Sequence, residues 1–170
     1  MATIGASYFA VMSRALPGQV SDTSAYNIDG ACVLENAAGN QNQSVFVGVA
    51  VQHGGVDAMG NKLIKPMAAS GKAYGVAIRS HFQTTSSDGR MIYESGGGIN
   101  VMTEGRVWML AKDASAPAFG TTIKLSDDGQ VDTGSGTIET NWIATGDFTK
   151  FQDLKLVEVQ VQKVPAVSAG

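Results

Sequence analysis

Val45-Phe46-Val47-Gly48-Val49-Ala50-Val51-Gln52 decides the fold class. Its four valines recur at every second residue, so in extended backbone they share one face. Phe46, Gly48, Ala50 and Gln52 fall on the other face. A helix would scatter the same valines around its circumference. The stretch therefore reads as a β-strand with one demanding face and one face of mostly small residues.

The period of two recurs outward from this point. Residues 99–103 and 106–110 read as strand, with Gly105 marking a bulge or bend within one long strand, or a tight turn between two. Residues 74–82 form a further candidate strand, with Val76 and Ile78 inward. In residues 154–164, Leu154 and Leu156 share one face, and Val157, Val159 and Val161 the opposite one. The adjacent Leu156 and Val157 predict a bulge or a strand crossing between sheets.

Turn chemistry supports the β reading. Pro17-Gly18 suits a type II turn, in which glycine supplies the positive φ. Asp88-Gly89 and Asp128-Gly129 are hairpin signals, the second joining residues 121–125 to a short segment at Val131. The 21 glycines leave few windows for a helix of average length. No fixed-period repeat or long linker divides the chain. The expectation is an all-β protein: a single small β-barrel or β-sandwich over residues 21–170, preceded by an extended N-terminal arm over residues 1–20. Residues 36–44 read as an exposed polar loop. The arm mixes Tyr8, Phe9, Met12 and Leu16 with small residues and Arg14, and its aromatics require cover. It folds back on its own domain or reaches a neighbour.

Composition narrows the function classes. The net charge of −3, from 12 basic and 15 acidic residues, leaves no electrostatic footprint for nucleic acid. The basic residues are scattered singly, which argues equally against an anionic membrane surface. No run approaches the ~20 apolar residues that span a bilayer. The N-terminal stretch has no early positive charge and no continuous apolar run, so no secretory signal is expected. Residues 1–61 carry only Arg14, Asp22, Asp29, Glu35 and Asp57, too few charges for a mostly solvent-facing third of the chain. Cys32, the single cysteine, lies in an apolar stretch and reads as a buried structural thiol.

The chain offers little chemistry. His53 and His81 are the two histidines, without metal-ligand spacing, and both read as surface or rim residues. Gly96-Gly97-Gly98 lacks the spacing of a phosphate loop. Asp127-Asp128-Gly129 with Asp132 lacks the alternating ligands of a calcium loop, and the acidic segment 127–147 reads as a solvated rim with weak cation binding as the alternative. No catalytic residue, metal ligand or cofactor site is expected. Interaction with other proteins remains. Its candidate interface residues are Tyr8, Phe9, Met12, Arg14 and Leu16 in the arm, with Trp142 and Phe148 beside the acidic segment. For Trp142, placement in the core is the competing reading.

Several segments together resemble the structural cement proteins that decorate the heads of tailed bacteriophages. They are Val45-Phe46-Val47-Gly48-Val49-Ala50-Val51, Ala73-Tyr74-Gly75-Val76-Ala77-Ile78, Asn100-Val101-Met102-Thr103-Glu104-Gly105-Arg106-Val107-Trp108, Pro117-Ala118-Phe119-Gly120 and the alternating stretch 154–161. The resemblance implies a β-rich protein without enzymatic activity or cofactor. It implies a place on the capsid exterior after synthesis in the host bacterial cytoplasm. The implied partners are the major capsid protein and further copies of this chain, as a dimer or trimer on the shell, with no nucleic acid and no membrane. Such a protein works by contact area and by avidity among many copies. Two other readings stay open: a carbohydrate-binding β-sandwich using Trp142 or Tyr93 as a stacking platform, and a small hydrolase using His53 or His81.

Overall fold

The computed structural model describes residues 14–23, 25–36, 43–81 and 83–163. Eleven strands lie among them: β1 (Asn27–Leu34), β2 (Val45–Phe46), β3 (Ala50–Val56), β4 (Lys62–Pro66), β5 (Ala73–Ala77), β6 (Thr84–Thr85), β7 (Met91–Tyr93), β8 (Gly98–Leu110), β9 (Thr122–Leu125), β10 (Ile138–Phe151) and β11 (Leu154–Val161). The main sheet runs β1-β4-β3-β5-β8-β11-β10-β9, and β1 also pairs with β8. That extra pairing closes β1, β4, β3, β5 and β8 into a small barrel, from which β11, β10 and β9 continue as a flange. Strands β2, β7 and β6 form a separate three-stranded sheet. The β1–β4 pair is parallel and the other strand pairs are antiparallel.

β8 belongs to both parts. Ile99 and Val101 point into a first core with Leu34, Val51, Ile64 and Tyr93, whereas Met102, Val107 and Met109 point into a second core with Trp142, Val157 and Val159. Strict alternation would place Val101 and Val107 on one face, yet they lie in different cores. The phase inverts at the predicted position. Gly105 has φ +122°, and β1 registers Asn27 with Glu104 but Ile28 with Met102, so β8 holds one extra residue there. A Cβ at Gly105 would stand 2.7 Å from that of Tyr26, which leaves room for glycine alone.

All four valines of 45–51 lie in the first core, as their shared face requires. They do not form one strand, however. The chain leaves β2 at Phe46 and re-enters extended structure at Ala50. Between them Gly48 has φ +84° and meets Gly18, whose backbone N would lie 2.8 Å from a Cβ at position 48. A long-range glycine–glycine contact breaks a strand that periodicity alone makes continuous.

The expected bulge at Leu156 and Val157 is also corrected. β11 pairs with β8 from Leu156–Leu110 to Val161–Gly105 without a shift. Its two faces alternate regularly, Leu156 into the first core and Val157, Val159 and Val161 into the second. Both faces are buried, so no switch is needed. The irregularity sits on the partner strand, where β10 gains residues between Ala144 and Phe148 around Gly146, at φ +87°.

Residues 14–21 lie along their own domain. The Gly18 N–H donates to the Trp108 carbonyl at 2.9 Å, and the Trp108 N–H donates to Gln19 at 3.0 Å. Val20 bridges to Val107, Ala15 is fully buried, and the Ser21 hydroxyl donates to the buried Glu158 carboxylate. Residues 1–13, with Tyr8, Phe9 and Met12, lie outside the described residues, as do residues 37–42 of the expected loop.

Candidate protein-interaction surface

Of the residues expected at an interface, the structure brings Arg14 and Phe148 to one place, the irregular middle of β10. Arg14 is exposed, pairs with Asp147 at 2.8 Å, and sets its guanidinium 5.8 Å from the Trp108 ring centre. Phe148 is half-buried against the second core. Leu16 is half-buried at the rim of a cleft about 380 Å³ in volume. Trp142 is corrected. Its side chain is 1% exposed within the second core, and its indole N–H donates to the Gln162 carbonyl at 3.2 Å. A ring packed and satisfied within its own chain has nothing to offer a partner. Phe151, at the far end of the same strand, packs against the first core.

Residues the sequence reading missed stand out. Met59 is 87% exposed, Phe119 83%, Val56 62% and Tyr26 51%. Phe119 occupies a defined turn. The Thr121 N–H donates to the Ala118 carbonyl at 3.0 Å, with Gly120 at φ +81° supplying the positive φ of a type II turn. The Gly120 N–H donates to Ala144 at 2.9 Å and the Ala144 N–H to Thr121 at 2.9 Å, which pins the turn to β10. Leaving a phenylalanine in water forgoes roughly 2 kcal/mol of burial. Met59 rides a hairpin tip of similar rigidity. The Asp57 carboxylate accepts the Met59 and Asn61 N–H groups, each at 2.8 Å, and the Asn61 side-chain amide at 2.9 Å. That amide, with the backbone donors, holds the Asp57 carboxyl below the usual carboxylate range. The available signal was a large apolar residue directly before a turn glycine, in Phe119-Gly120 and Met59-Gly60, where the side chain cannot join a strand face.

The barrel wall behind these turns is fastened by polar contacts rather than equipped for reaction. The Asp29 carboxylate receives the Lys62 ammonium and the Tyr74 hydroxyl, tying β1 to β4 and β5. Burial alone would raise its pKa, but those donors outweigh burial and hold it below the ordinary value. Cys32 is buried, and burial with the Asp29 charge pushes its thiol up to about 12, so it stays protonated and unreactive. His53 is exposed, accepts the Gly55 N–H at Nδ1 at 3.1 Å and packs edge-on against Tyr74 at 5.4 Å. His81 is exposed too. Among the described residues no group of three or more His, Cys, Asp or Glu is arranged to hold a metal ion. Tyr93 is fully buried with its hydroxyl on Ile78 and Ser80, so both rings named for a sugar platform, Tyr93 and Trp142, lie inside the protein.

Rigid turns that hold large apolar side chains in water, around a barrel fastened from within, suit contact with another protein. The family of structural cement proteins (E217 gp24/Pam3 gp6) matches residues 4–162. The chain belongs to that family. Its members are structural phage proteins, and the cement role accords with the barrel and its protruding turns. A chain in the solved capsid of Myoviridae Phage XM1 shares the fold, with a TM-score of 0.62 at 19% identity over 92% of this chain and 95% of that one. No curated protein matches.

Proposed function

We propose that this cement protein sits on the outer surface of a bacteriophage capsid, made in the host cytoplasm and added to the shell. There it bridges neighbouring major capsid protein subunits and works without catalysis. The observation that carries the reading is the family match over residues 4–162, joined by a likeness to a chain from a phage capsid. Phe119 and Met59 supply apolar anchors on pinned turns, which lose little conformational freedom on docking. Arg14 and Phe148 add a contact region at β10, and Tyr8, Phe9 and Met12, outside the described residues, are further candidate contacts to adjoining subunits or to further copies of this chain, as a dimer or trimer on the shell. Small contributions from each copy then sum around the shell by avidity.

The test is the heat stability of shells assembled from the major capsid protein, with and without this chain. Shells carrying it are expected to melt at a higher temperature and to release it only on disassembly. Equal melting temperatures at full occupancy would overturn the cement role.

A further inference from the structure

The cleft of about 380 Å³ opens between the turn at Asp88-Gly89, the end of the arm at Leu16 and Pro17, and the β10–β11 tip at residues 151–154. Its apolar lining includes Phe46, Leu110, Phe151 and Leu154, and its volume falls within the range of ligand-binding pockets. Two arginines, Arg79 and Arg90, also line it. They differ in how they are satisfied. Arg90 stands 3.6 Å from Asp88 and 3.9 Å from Asp153, and stacks its guanidinium 5.3 Å from the Phe46 ring centre. Its charge is already answered at the rim.

Arg79 is not. The chain has four arginines, and Arg14, Arg90 and Arg106 each pair with a carboxylate. Every Asp and Glu of the chain lies among the described residues, and none of them pairs with Arg79. Among the described residues its guanidinium donates to the Met91 sulfur at 3.5 Å, a weak acceptor. Its backbone is held in place, the N–H donating to the Gly18 carbonyl at 3.0 Å. A half-buried guanidinium presents a planar fork of donors matched to a carboxylate, and here that fork lines an apolar-floored cleft.

We propose that this cleft seats a segment of a neighbouring shell subunit, whose carboxylate is taken by Arg79 and whose adjacent apolar side chain rests on Phe46, Phe151 and Leu154. The assignment rests on the cement reading, since it takes its partner from there. Charge complementarity selects the occupant. An acidic residue beside an apolar one answers both halves of the cleft, whereas a basic segment meets Arg79, a cation with no carboxylate partner among the described residues.

The test measures binding of the full chain to shells of the major capsid protein that lack it, by co-sedimentation across a concentration series. Arg79→Glu is expected to weaken binding at least tenfold and Arg79→Lys by less, while Lys72→Glu, an exposed cation outside the cleft, binds as the unaltered chain. Melting of each free variant checks its fold. Should Arg79→Glu fail to fold, Asp153→Cys labelled after folding with a bulky maleimide carries the test, because Cys32 is buried and protonated and leaves the rim thiol to react. The labelled chain is expected to lose shell binding. Unchanged binding by a folded Arg79→Glu or by the labelled chain overturns the proposal while leaving the cement role intact. Loss of self-association with shell binding preserved would overturn it in favour of a second copy as occupant. Failure of the unaltered chain to bind shells at all would instead bring down the cement reading, and this assignment with it.

Discussion

In the turn at residues 86–90 and the turn at residues 126–130 the same parts make the same structure. Each begins with a serine whose N–H donates to the carbonyl of the fifth residue, at 2.8 Å in Ser86–Arg90 and 3.0 Å in Ser126–Gln130. Each serine hydroxyl also donates to the aspartate at the third position. The glycine at the fourth has φ +80° in Gly89 and +78° in Gly129. Their surroundings are opposite. A Cβ on Gly89 would meet nothing within 4 Å, whereas one on Gly129 would stand 2.4 Å from the Ala50 carbonyl oxygen. The Ala50 N–H in turn donates to the Gly129 carbonyl at 2.8 Å. Local sequence makes the turn, and the fold decides what the turn bears.

The largest expected effect is on Gly129→Ala. Left-handed backbone costs an alanine about 1–2 kcal/mol, and forcing a methyl group into a packed contact adds about 1–3 kcal/mol. A total near 3 kcal/mol lowers the melting temperature by roughly 6–12 °C in a domain of this size. Thermal unfolding of the purified chain measures it. An equal, small loss for Gly129→Ala and Gly89→Ala would show that β3 moves aside, and would break the comparison.

Charge sharpens it next. The Asp128 carboxyl is raised by burial but lowered further by Ser126 and Lys112, so it titrates below the ordinary value. The folded chain therefore binds fewer protons than the unfolded one near that value. Its contribution is present above the unfolded pKa, about 3.9, and is lost as pH falls through the folded one. Asp128→Asn is expected to cost about 1 kcal/mol at neutral pH, discounted because the side chain is half exposed. It should also flatten the acid-side fall in melting temperature between pH 6 and pH 2.5 relative to the unaltered chain. Asp88 is also lowered, chiefly by the Ser86 hydroxyl, but lies in water, so Asp88→Asn should follow the same direction with smaller amplitude. A larger acid effect from Asp88 would reverse the ranking of the two turns.

What could be read from sequence follows the same division. Asp-Gly sufficed to place both turns, and the period of two placed four valines in one core and Ile99 and Val101 beside them. Gly105 signalled the inversion within β8 because only glycine takes φ +122° without strain. The features that escaped are set at long range. The break at Gly48 depends on Gly18, the barrel closes through β1, whose Asp29 and Gly30 hide it from a pattern search, and β11 looked irregular because both its faces are buried. The candidate surface was less legible still. Arg14 and Phe148 share a region, but Trp142 is core, and Phe119, Met59 and Arg79 acquire meaning only once exposure and pairing are known. Periodicity reports that a residue is buried or turned, not which neighbour it meets.

Gly89→Ala isolates the local part of the difference. The added methyl group meets open space, so the left-handed conformation is its whole cost, about 1 kcal/mol or a fall of roughly 2–4 °C in melting temperature. Alanine also restricts the unfolded chain more than glycine does, which offsets part of that strain by about 0.4–1 kcal/mol. The net loss should therefore sit at the lower end, and thermal unfolding alongside Gly129→Ala reads it directly. The gap between the two variants then measures the contact with Ala50 and the Met67 side chain, because the strain and the unfolded-state gain are common to both and cancel. A Gly89→Ala loss as large as that of Gly129→Ala would mean that the conformation, not the neighbour, sets the requirement for glycine at both turns.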